Sequence, residues 1–498
     1  MCVKILLPKK RQLEIMRLFE IILILMLIIF LLRLISTPTN KYLWLFILLV
    51  STVAFLQMLM EGIRWQMVPS YFLILFVLVF PRIQNKFFRI IHSLIACVTL
   101  IIAIFLPAFF PVFNFEKPSG KYKIGTKTYY FTDSSRNELF ADNLKRKREI
   151  LIQIWYPTDE KPNNDFTPYL ENSTIKINAI ADQFGYPKIC FSQLKYIKSN
   201  AISNVEISHI KEKFPVLIYL TGLNGSRQFS SFQIQELVSQ GYIVAGIDNP
   251  GAVGVVPYPD GRSITGLPIE KIKALVDQSI EDLPTIPTLN NIKMKDGIIP
   301  YFSDDVSFVI SCLGQMNSYD LQNILTNHID LTKIGVFGVS LGGIVAADAS
   351  VKDKRIRACL IMESPISKNV IDKGIQIPTM IITRNAETMR LERKKSGGWN
   401  EKEIEIHQYG MKTIYDRLPS NGYFIKIPKM FHVDFLDIPL WFPFGSYIGL
   451  TGKMKTKHAH QIINNFSVAF FDKELMGVSS GFLKYADEIY PEIEYWSK

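Results

Sequence analysis

Ser340 lies in Gly338-Val339-Ser340-Leu341-Gly342, directly after the apolar run Ile334-Gly335-Val336-Phe337. A serine flanked by small residues at the end of a buried strand reads as a sharp strand-to-helix turn. Gly338 and Gly342 let the chain fold back, and the strained turn lifts the hydroxyl clear of the sheet. A hydroxyl alone is a poor nucleophile; it needs an imidazole base and a carboxylate to orient that base. Among seven histidines, His432 is the best base, because it closes the late stretch Pro428-Lys429-Met430-Phe431-His432 after an apolar strand. His92 falls in a membrane-like stretch, and His458 and His460 in a basic loop or helix start. His209, His328 and His407 do not follow a strand end late in the chain.

The acid expected is Glu363, which ends the run Cys359-Leu360-Ile361-Met362. A buried charge there is costly unless paired, and an imidazole partner would offset that cost. Glu387, after the next strand, is the alternative; Asp434 and Asp437 are close neighbours of His432 in sequence and rank below both. The oxyanion of a tetrahedral intermediate needs two amide donors. Leu341, immediately after the nucleophile, supplies one, and the Gly222–Leu223 loop within Thr221-Gly222-Leu223-Asn224-Gly225 supplies the other.

These residues need a scaffold. Strands are expected at Ile150–Tyr156, Val216–Leu220, Ile243–Ile247, Ile334–Phe337, Ala358–Met362, Thr379–Thr383 and Tyr423–Ile427. Helices are expected at Phe229–Gln240, at Asp304–Leu313 with Ser303 or Asp304 as N-cap, and at Leu341–Val351. Strands alternating with helices imply an α/β fold, a mostly parallel sheet covered on both faces. All the candidate groups then sit at carboxyl ends of strands, where ligands gather in such sheets. The chain order serine, acid, histidine is that of an α/β-hydrolase. Gly251–Pro300 and Glu387–Gly422 read as long irregular connections, either a lid or pocket wall or surface insertions.

Together these pieces resemble the plasma-type platelet-activating factor acetylhydrolase (isoform II) family, over roughly Lys123 to Phe471. The resemblance rests on Ile154-Trp155-Tyr156-Pro157, on Phe214-Pro215-Val216 running to Gly222-Leu223, and on Asp304-Asp305-Val306-Ser307-Phe308-Val309. It rests also on His432-Val433-Asp434-Phe435-Leu436-Asp437. Glu363 follows Ser340 by 23 residues (363 − 340), close to the family spacing. Two departures stand out: Thr221 replaces the usual histidine, and Glu363 the usual aspartate. The resemblance implies metal-free hydrolysis of short or oxidised acyl esters, often on phospholipids, with Leu223 as the second oxyanion donor and no cofactor.

Residues 1 to about 117 form a separate region with four apolar stretches, near Ile15–Ile35, Leu43–Met60, Val68–Phe80 and Ile90–Phe113. A span needs roughly 20 apolar residues, and Ile21–Leu32 is apolar on every face, unlike a helix of a soluble bundle. The expectation is a multi-pass membrane region followed by a catalytic domain over 118–498. Lys4, Lys9, Lys10, Arg11 and Arg17 favour a cytoplasmic N-terminus, which puts the catalytic domain on the same side if all four stretches cross. Glu61, Arg64 and His92 are expected at interfacial ends of the spans. The net charge of +11 is scattered; it suits anionic lipid rather than nucleic acid. Five dispersed cysteines give no zinc or disulfide pattern. Rival readings are a general carboxylesterase, polyester hydrolase or acyltransferase on the same fold, an inert membrane scaffold, and a transporter with a soluble appendage. Oligomeric state does not follow from the sequence.

Overall fold

In a computed structural model, the described residues are 17–36, 43–79, 83, 85–141, 143, 145–161 and 166–498. Lys4, Lys9, Lys10 and Arg11 lie outside them. The chain divides into two compact units. The first comprises residues 1–114 with 185–197 and 440–444, and the second comprises 115–184, 198–439 and 445–498. The border falls near residue 114, and two short segments from within the expected catalytic domain belong to the first unit.

In the first unit the four apolar stretches fold as helices α1 (Leu18–Ser36), α2 (Leu43–Glu61), α3 (Val68–Val79) and α4 (Lys86–Phe109). Among the described residues, Trp44–Glu61 and Lys86–Phe109 are long and apolar enough to cross a membrane; the third helix is shorter. Leu23, Leu27, Val50, Ala54, Leu73 and Ala103 pack inward, while Leu25, Ile29, Leu48, Phe55, Leu94 and Ile101 face outward and exposed. Such apolar outer faces need an apolar surrounding or partner. Arg64, expected at an end of the spans, lies beside the start of α1 and the end of α4. It is buried, with Nε and Nη2 donating to the Glu20 carboxylate at 2.7 and 2.5 Å and Nη1 to the Phe110 carbonyl at 2.7 Å. Pairing is what makes such a charge tolerable away from water. The Phe19 amide donates to Glu61 (2.9 Å), so the start of α1, the α2–α3 turn and the end of α4 meet at one end of the helices.

The second unit is built on β-branched and aromatic runs that favour extended backbone. They form β1 (Lys123–Asn137), β2 (Lys147–Thr158), β3 (Phe166–Pro168), β4 (Lys198–Ser203), β5 (Phe214–Leu220) and β6 (Ile243–Ile247). There follow β7 (Ile329–Val339), β8 (Ile356–Met362), β9 (Thr379–Thr383), β10 (Gly422–Lys426) and β11 (Glu494–Ser497). They make one eleven-stranded sheet in the order β11-β10-β9-β8-β7-β5-β6-β2-β1-β4-β3. The block from β6 to β10 is parallel throughout; β2 joins β6 and β11 joins β10 antiparallel. The parallel strands are nearly continuous apolar runs because helices cover both faces. β1, β3, β4 and β11 were not foreseen.

Helices α5 (Ser231–Gln240), α6 (Ile299–Ser318) and α7 (Leu341–Lys352) cover the sheet. The second of these starts at Ile299, ahead of both expected caps: Pro300 occupies its first turn, where a missing N–H costs nothing, so Ser303 and Asp304 are interior. Glu387–Gly422 is not an irregular connection either. It holds α8 (Ala386–Ser396) and α9 (Glu401–Arg417), opened by Asn385 and Asn400, whose side chains accept from Thr388 and Glu403 amides. Gly251–Pro300 contains a short hairpin (Val255–Pro257 with Ser263–Thr265) and a helix, Ile269–Ile280. α10 (Thr456–Met476) completes the layers.

Candidate active site

Ser340 follows β7 and immediately precedes α7, at φ 57° and ψ −125°. That positive φ is strained for a residue with a Cβ. It persists because its neighbours allow no other path. The Ser340 amide donates to the Met362 carbonyl (2.9 Å) and its carbonyl accepts from the Gly343 amide (2.9 Å). A Cβ on Gly338 would lie 2.3 Å from the Gly342 carbonyl oxygen, and one on Gly342 only 2.0 Å from that of Leu220. Both glycines are therefore required by close backbone approach, as the sequence pattern implied.

The Gly222–Leu223 loop follows β5, the sheet neighbour of β7, with Leu220 paired to Gly338. A Cβ on Gly222 would sit 3.1 Å from the Ser340 Cβ, so this loop passes directly beside the serine. Leu341 opens α7, where the first amides have no partner within the helix. Turns pin the loop: Gly225 N donates to Gly222 O (3.0 Å) and Asn224 N to Ala252 O (2.8 Å). Behind it a buried ionic cluster ties the loop to the end of β6. Arg227 pairs with Asp248 and with Glu171 (2.7 Å), and Lys176 donates to Ser226 Oγ (2.8 Å) and Gln228 Oε1 (2.5 Å). Burial, reinforced by the Arg227 charge, pushes the Lys176 ammonium down to about 8. The Thr221 hydroxyl, where a histidine is usual in the resembled family, is buried.

Glu363 follows β8, next in the sheet on the other side of β7, and also takes positive φ, 46°. Its carboxylate is fully buried. Oε2 accepts from Thr383 Oγ1 (2.9 Å) and Oε1 from Arg384 Nε (2.6 Å), while His432 Nδ1 stands 3.7 Å from Oε1. That last separation is an ion-pair distance, longer than a hydrogen bond. Burial alone would raise the Glu363 pKa; the Arg384 guanidinium, with His432 beside it, instead holds the carboxyl well below its ordinary range. Glu387 is exposed in the first turn of α8. Of the two candidate acids, it is Glu363 that stands beside the His432 ring.

His432 begins a short 3-10 turn after β10, His432–Phe435, with its ring partly exposed. Its amide donates to Glu392 Oε1 (3.1 Å). Asp434 accepts from the Phe431 amide (2.6 Å) and the Gly452 amide (2.7 Å); burial pushes its carboxyl up to about 7. Asp437 accepts from the amides of Ser231 (2.8 Å) and Phe232 (3.1 Å) and so caps α5, the helix that follows the Gly222 loop. The two aspartates near His432 thus bond backbone amides, Asp434 in its turn and Asp437 at the start of α5, rather than its ring.

Four residues around this site were not anticipated. Arg384 bridges Glu363 and Glu392, with Nη1 2.5 Å from Glu392 Oε2. His407, set aside in the sequence, is fully buried on α9, and burial brings its imidazole down to about 4. Trp399 lies against both imidazoles, with ring centroids 4.6 Å from His407 and 5.4 Å from His432. One signal was available for Arg384: it stands one residue past an apolar strand, as Glu363 does.

Among the described residues no cluster of histidine, cysteine and carboxylate groups could hold a metal ion, and Cys97, Cys190, Cys312 and Cys359 are free thiols.

The family model for platelet-activating factor acetylhydrolase, isoform II, matches residues 108–253 and 309–488. A probable 1-alkyl-2-acetylglycerophosphocholine esterase from Arthroderma benhamiae is 21% identical over 405 residues, covering 77% of this chain and 94% of that protein. The platelet-activating factor acetylhydrolase of Cavia porcellus is 23% identical over 379 residues, 72% of this chain and 77% of its own. That of Gallus gallus is 20% identical over 297 residues, 53% and 63% respectively. In fold, a ferulic acid esterase from Streptomyces cinnamoneus superposes with a TM-score of 0.57 at 21% identity, over 76% of this chain and 98% of that one.

Proposed function

The chain belongs to the platelet-activating factor acetylhydrolase isoform II family, an acyl ester hydrolase on an α/β-hydrolase fold, and from that premise we propose that it cleaves short-chain acyl esters of phospholipids with a Ser340–His432–Glu363 triad. The observation that carries the triad is the 3.7 Å approach of His432 Nδ1 to Glu363 Oε1, one residue along the strand from the Met362 carbonyl that accepts the Ser340 amide. Ser340 Oγ attacks the ester carbonyl carbon as His432 takes its proton. The negative charge that forms on the carbonyl oxygen is held by the amides of Leu341 and Leu223. The carbonyl re-forms, the alcohol leaves with the proton carried by His432, and water then releases the acyl group from Ser340 with His432 again as base. Ionised Glu363 stabilises the imidazolium formed in each half-reaction. Phospholipid is the substrate class in the names of the relatives.

The test is covalent labelling by a fluorophosphonate. The full-length protein should label and hydrolyse p-nitrophenyl acetate and a 2-acetyl phospholipid; Ser340→Ala should lose both labelling and turnover. Labelling that survives the substitution would exclude Ser340 as nucleophile.

We also infer multi-pass attachment with the catalytic unit on the cytoplasmic side. What supports it is the meeting of Phe19, Glu61, Arg64 and Phe110 at one end of the helices, together with the basic N-terminus. A membrane-impermeant fluorophosphonate should then label permeabilised cells and not intact ones; labelling of intact cells reverses the orientation.

A further inference from the structure

In a serine–histidine–aspartate triad the buried carboxylate orients the imidazole and stabilises the imidazolium that forms. Here the arrangement differs. Arg384 Nε donates to the same Glu363 oxygen that faces His432, at 2.6 Å against 3.7 Å. Within hydrogen-bond distance in a buried setting, a guanidinium neutralises much of the carboxylate it touches. Two ionised groups alone, Glu363 and Arg384, would sum to zero and leave the imidazolium no net partner. The third member changes this. Glu392, on α8, pairs with Arg384 Nη1 through Oε2 (2.5 Å) and accepts the main-chain N–H of His432 through Oε1 (3.1 Å). Two carboxylates against one guanidinium leave one negative charge, spread over both sides of His432.

We propose that Arg384 and Glu392 are positioning residues that join Glu363 in a three-residue acid, setting the charge seen by the His432 ring while clamping its main chain. The inference rests on the triad reading above. The linkage is closed: side chain of Glu363, guanidinium of Arg384, carboxylate of Glu392, main chain of His432. Arg384 is held from behind as well, since its carbonyl accepts from Gln408 Nε2 (3.1 Å) on α9. The guanidinium and the Glu363 side chain are almost wholly out of solvent, and Glu392 nearly so, so the charges are weakly screened. The other titratable groups packed around His432 are His407 on α9, which burial keeps neutral near pH 7, and Asp434 on its own turn, which faces the Phe431 and Gly452 amides.

Charge substitutions on the two sides of the bridge have opposite signs. Glu392→Gln keeps an oxygen for the His432 amide and removes a negative charge, so imidazolium becomes less favourable. The acidic limb of kcat/KM for p-nitrophenyl acetate, measured on the full chain in detergent micelles, should move to lower pH by about one unit. Arg384→Gln removes the positive charge and should move the limb to higher pH by a similar amount. A residue that only supported the fold would lower the plateau and leave the limb in place. Both profiles are read again in an Asp434→Asn background, so that titration of Asp434 does not contribute. Shifts of opposite sign in both backgrounds support the three-residue acid. Limbs that stay put, or move in the same direction, overturn it. Should Arg384→Gln not fold, with Glu363 left buried and unpaired, the Glu392→Gln limb decides alone. Ser340→Ala and His432→Ala are run alongside. If either retains turnover, the triad reading fails; if both abolish it and the limbs are unmoved, only the present inference fails.

Discussion

The two halves of the site are made of different materials. The nucleophile half is backbone: Ser340 at positive φ, Gly338, Gly342 and Gly343 in close approach to neighbouring carbonyls or side chains, and the Gly222 loop laid against the serine. The acid–base half is charge: Glu363, Arg384, Glu392 and His432 come from four separate segments and meet through ion pairs and one main-chain hydrogen bond. Backbone positions atoms rigidly and at no electrostatic cost. Buried charges cost desolvation that only a full set of partners offsets. The first half should therefore fail by steric displacement, independent of pH, and the second by loss of charge, with a pH signature.

Removing charge from the second half should give the largest effect. Glu363→Gln leaves the imidazole without its anionic partner and should lower kcat by roughly 10³–10⁴, in line with the corresponding change in other triads. Its stability signature is specific. The folded carboxyl is held below its ordinary value of 4.5 by Arg384, against the effect of burial. A depressed carboxyl contributes stability that is fully present above about pH 4.5 and disappears as pH falls toward the folded value. The melting temperature of the parent protein should exceed that of Glu363→Gln most at pH 7, and the gap should close on acidification below 4.5. A gap that stays constant down to pH 3 would mean that the carboxylate is not stabilised by charge.

Gly342→Ala tests the other half. The added Cβ meets the Leu220 carbonyl oxygen at 2.0 Å and that of Thr221 at 2.7 Å. Neither is the end of a flexible side chain, and both lead into the Gly222–Leu223 loop. Relief must push that loop away from Ser340, at a cost of about 1–3 kcal/mol in stability and a fall in kcat on the order of 10²–10³, the scale of losing one oxyanion donor. The loss should be the same from pH 6 to 9. A limb that shifts with this substitution would blur the division between the halves.

The same division explains what was legible in the sequence. The nucleophile turn is contiguous, so Gly338 to Gly342 announce it, and the Gly222–Leu223 loop follows a run whose pattern is equally local. Ile243–Ile247 and Thr379–Thr383 were readable to the residue because parallel strands buried on both faces are unbroken apolar runs. β1, whose three aromatics Tyr129-Tyr130-Phe131 are flanked by threonine, lysine and serine, and the edge strand Glu494–Ser497 carry no such run. Glu392 and His407 were not legible because nothing local marks them, and the one cue for Arg384, its place just past a strand, does not name its partners. Glu392 looks like one more member of the basic and acidic mixture in Ala386–Ser396, and only the fold brings it, through Arg384, to Glu363. The sequence cue that was overlooked lies in the caps: Asn385 and Asn400 each precede a helix by one residue, and they mark as helical what the scattered charge made look irregular. In the first unit the pairing of Arg64 was equally invisible, because its partner, Glu20, is on another helix.

The smallest effect expected is also the one that decides between two carboxylates. By position in the chain Glu387 was a fair rival to Glu363, since it follows the strand after. In the folded protein it occupies the exposed first turn of α8, where an acidic side chain favours the positive end of the helix and adds a few tenths of a kcal/mol. Glu387→Gln should leave kcat/KM within about twofold of the parent, and stability within about 0.5 kcal/mol, as for surface changes in general. The acidic limb that Glu392→Gln is expected to displace should not move. Because Glu387 and Glu392 lie on the same short helix and lose the same charge on conversion to glutamine, the pair separates a charge that belongs to the site from one that merely lies near it in sequence. A large loss of turnover in Glu387→Gln, with Glu363→Gln near the parent, would transfer the acid to α8 and undo the ordering of charges around His432.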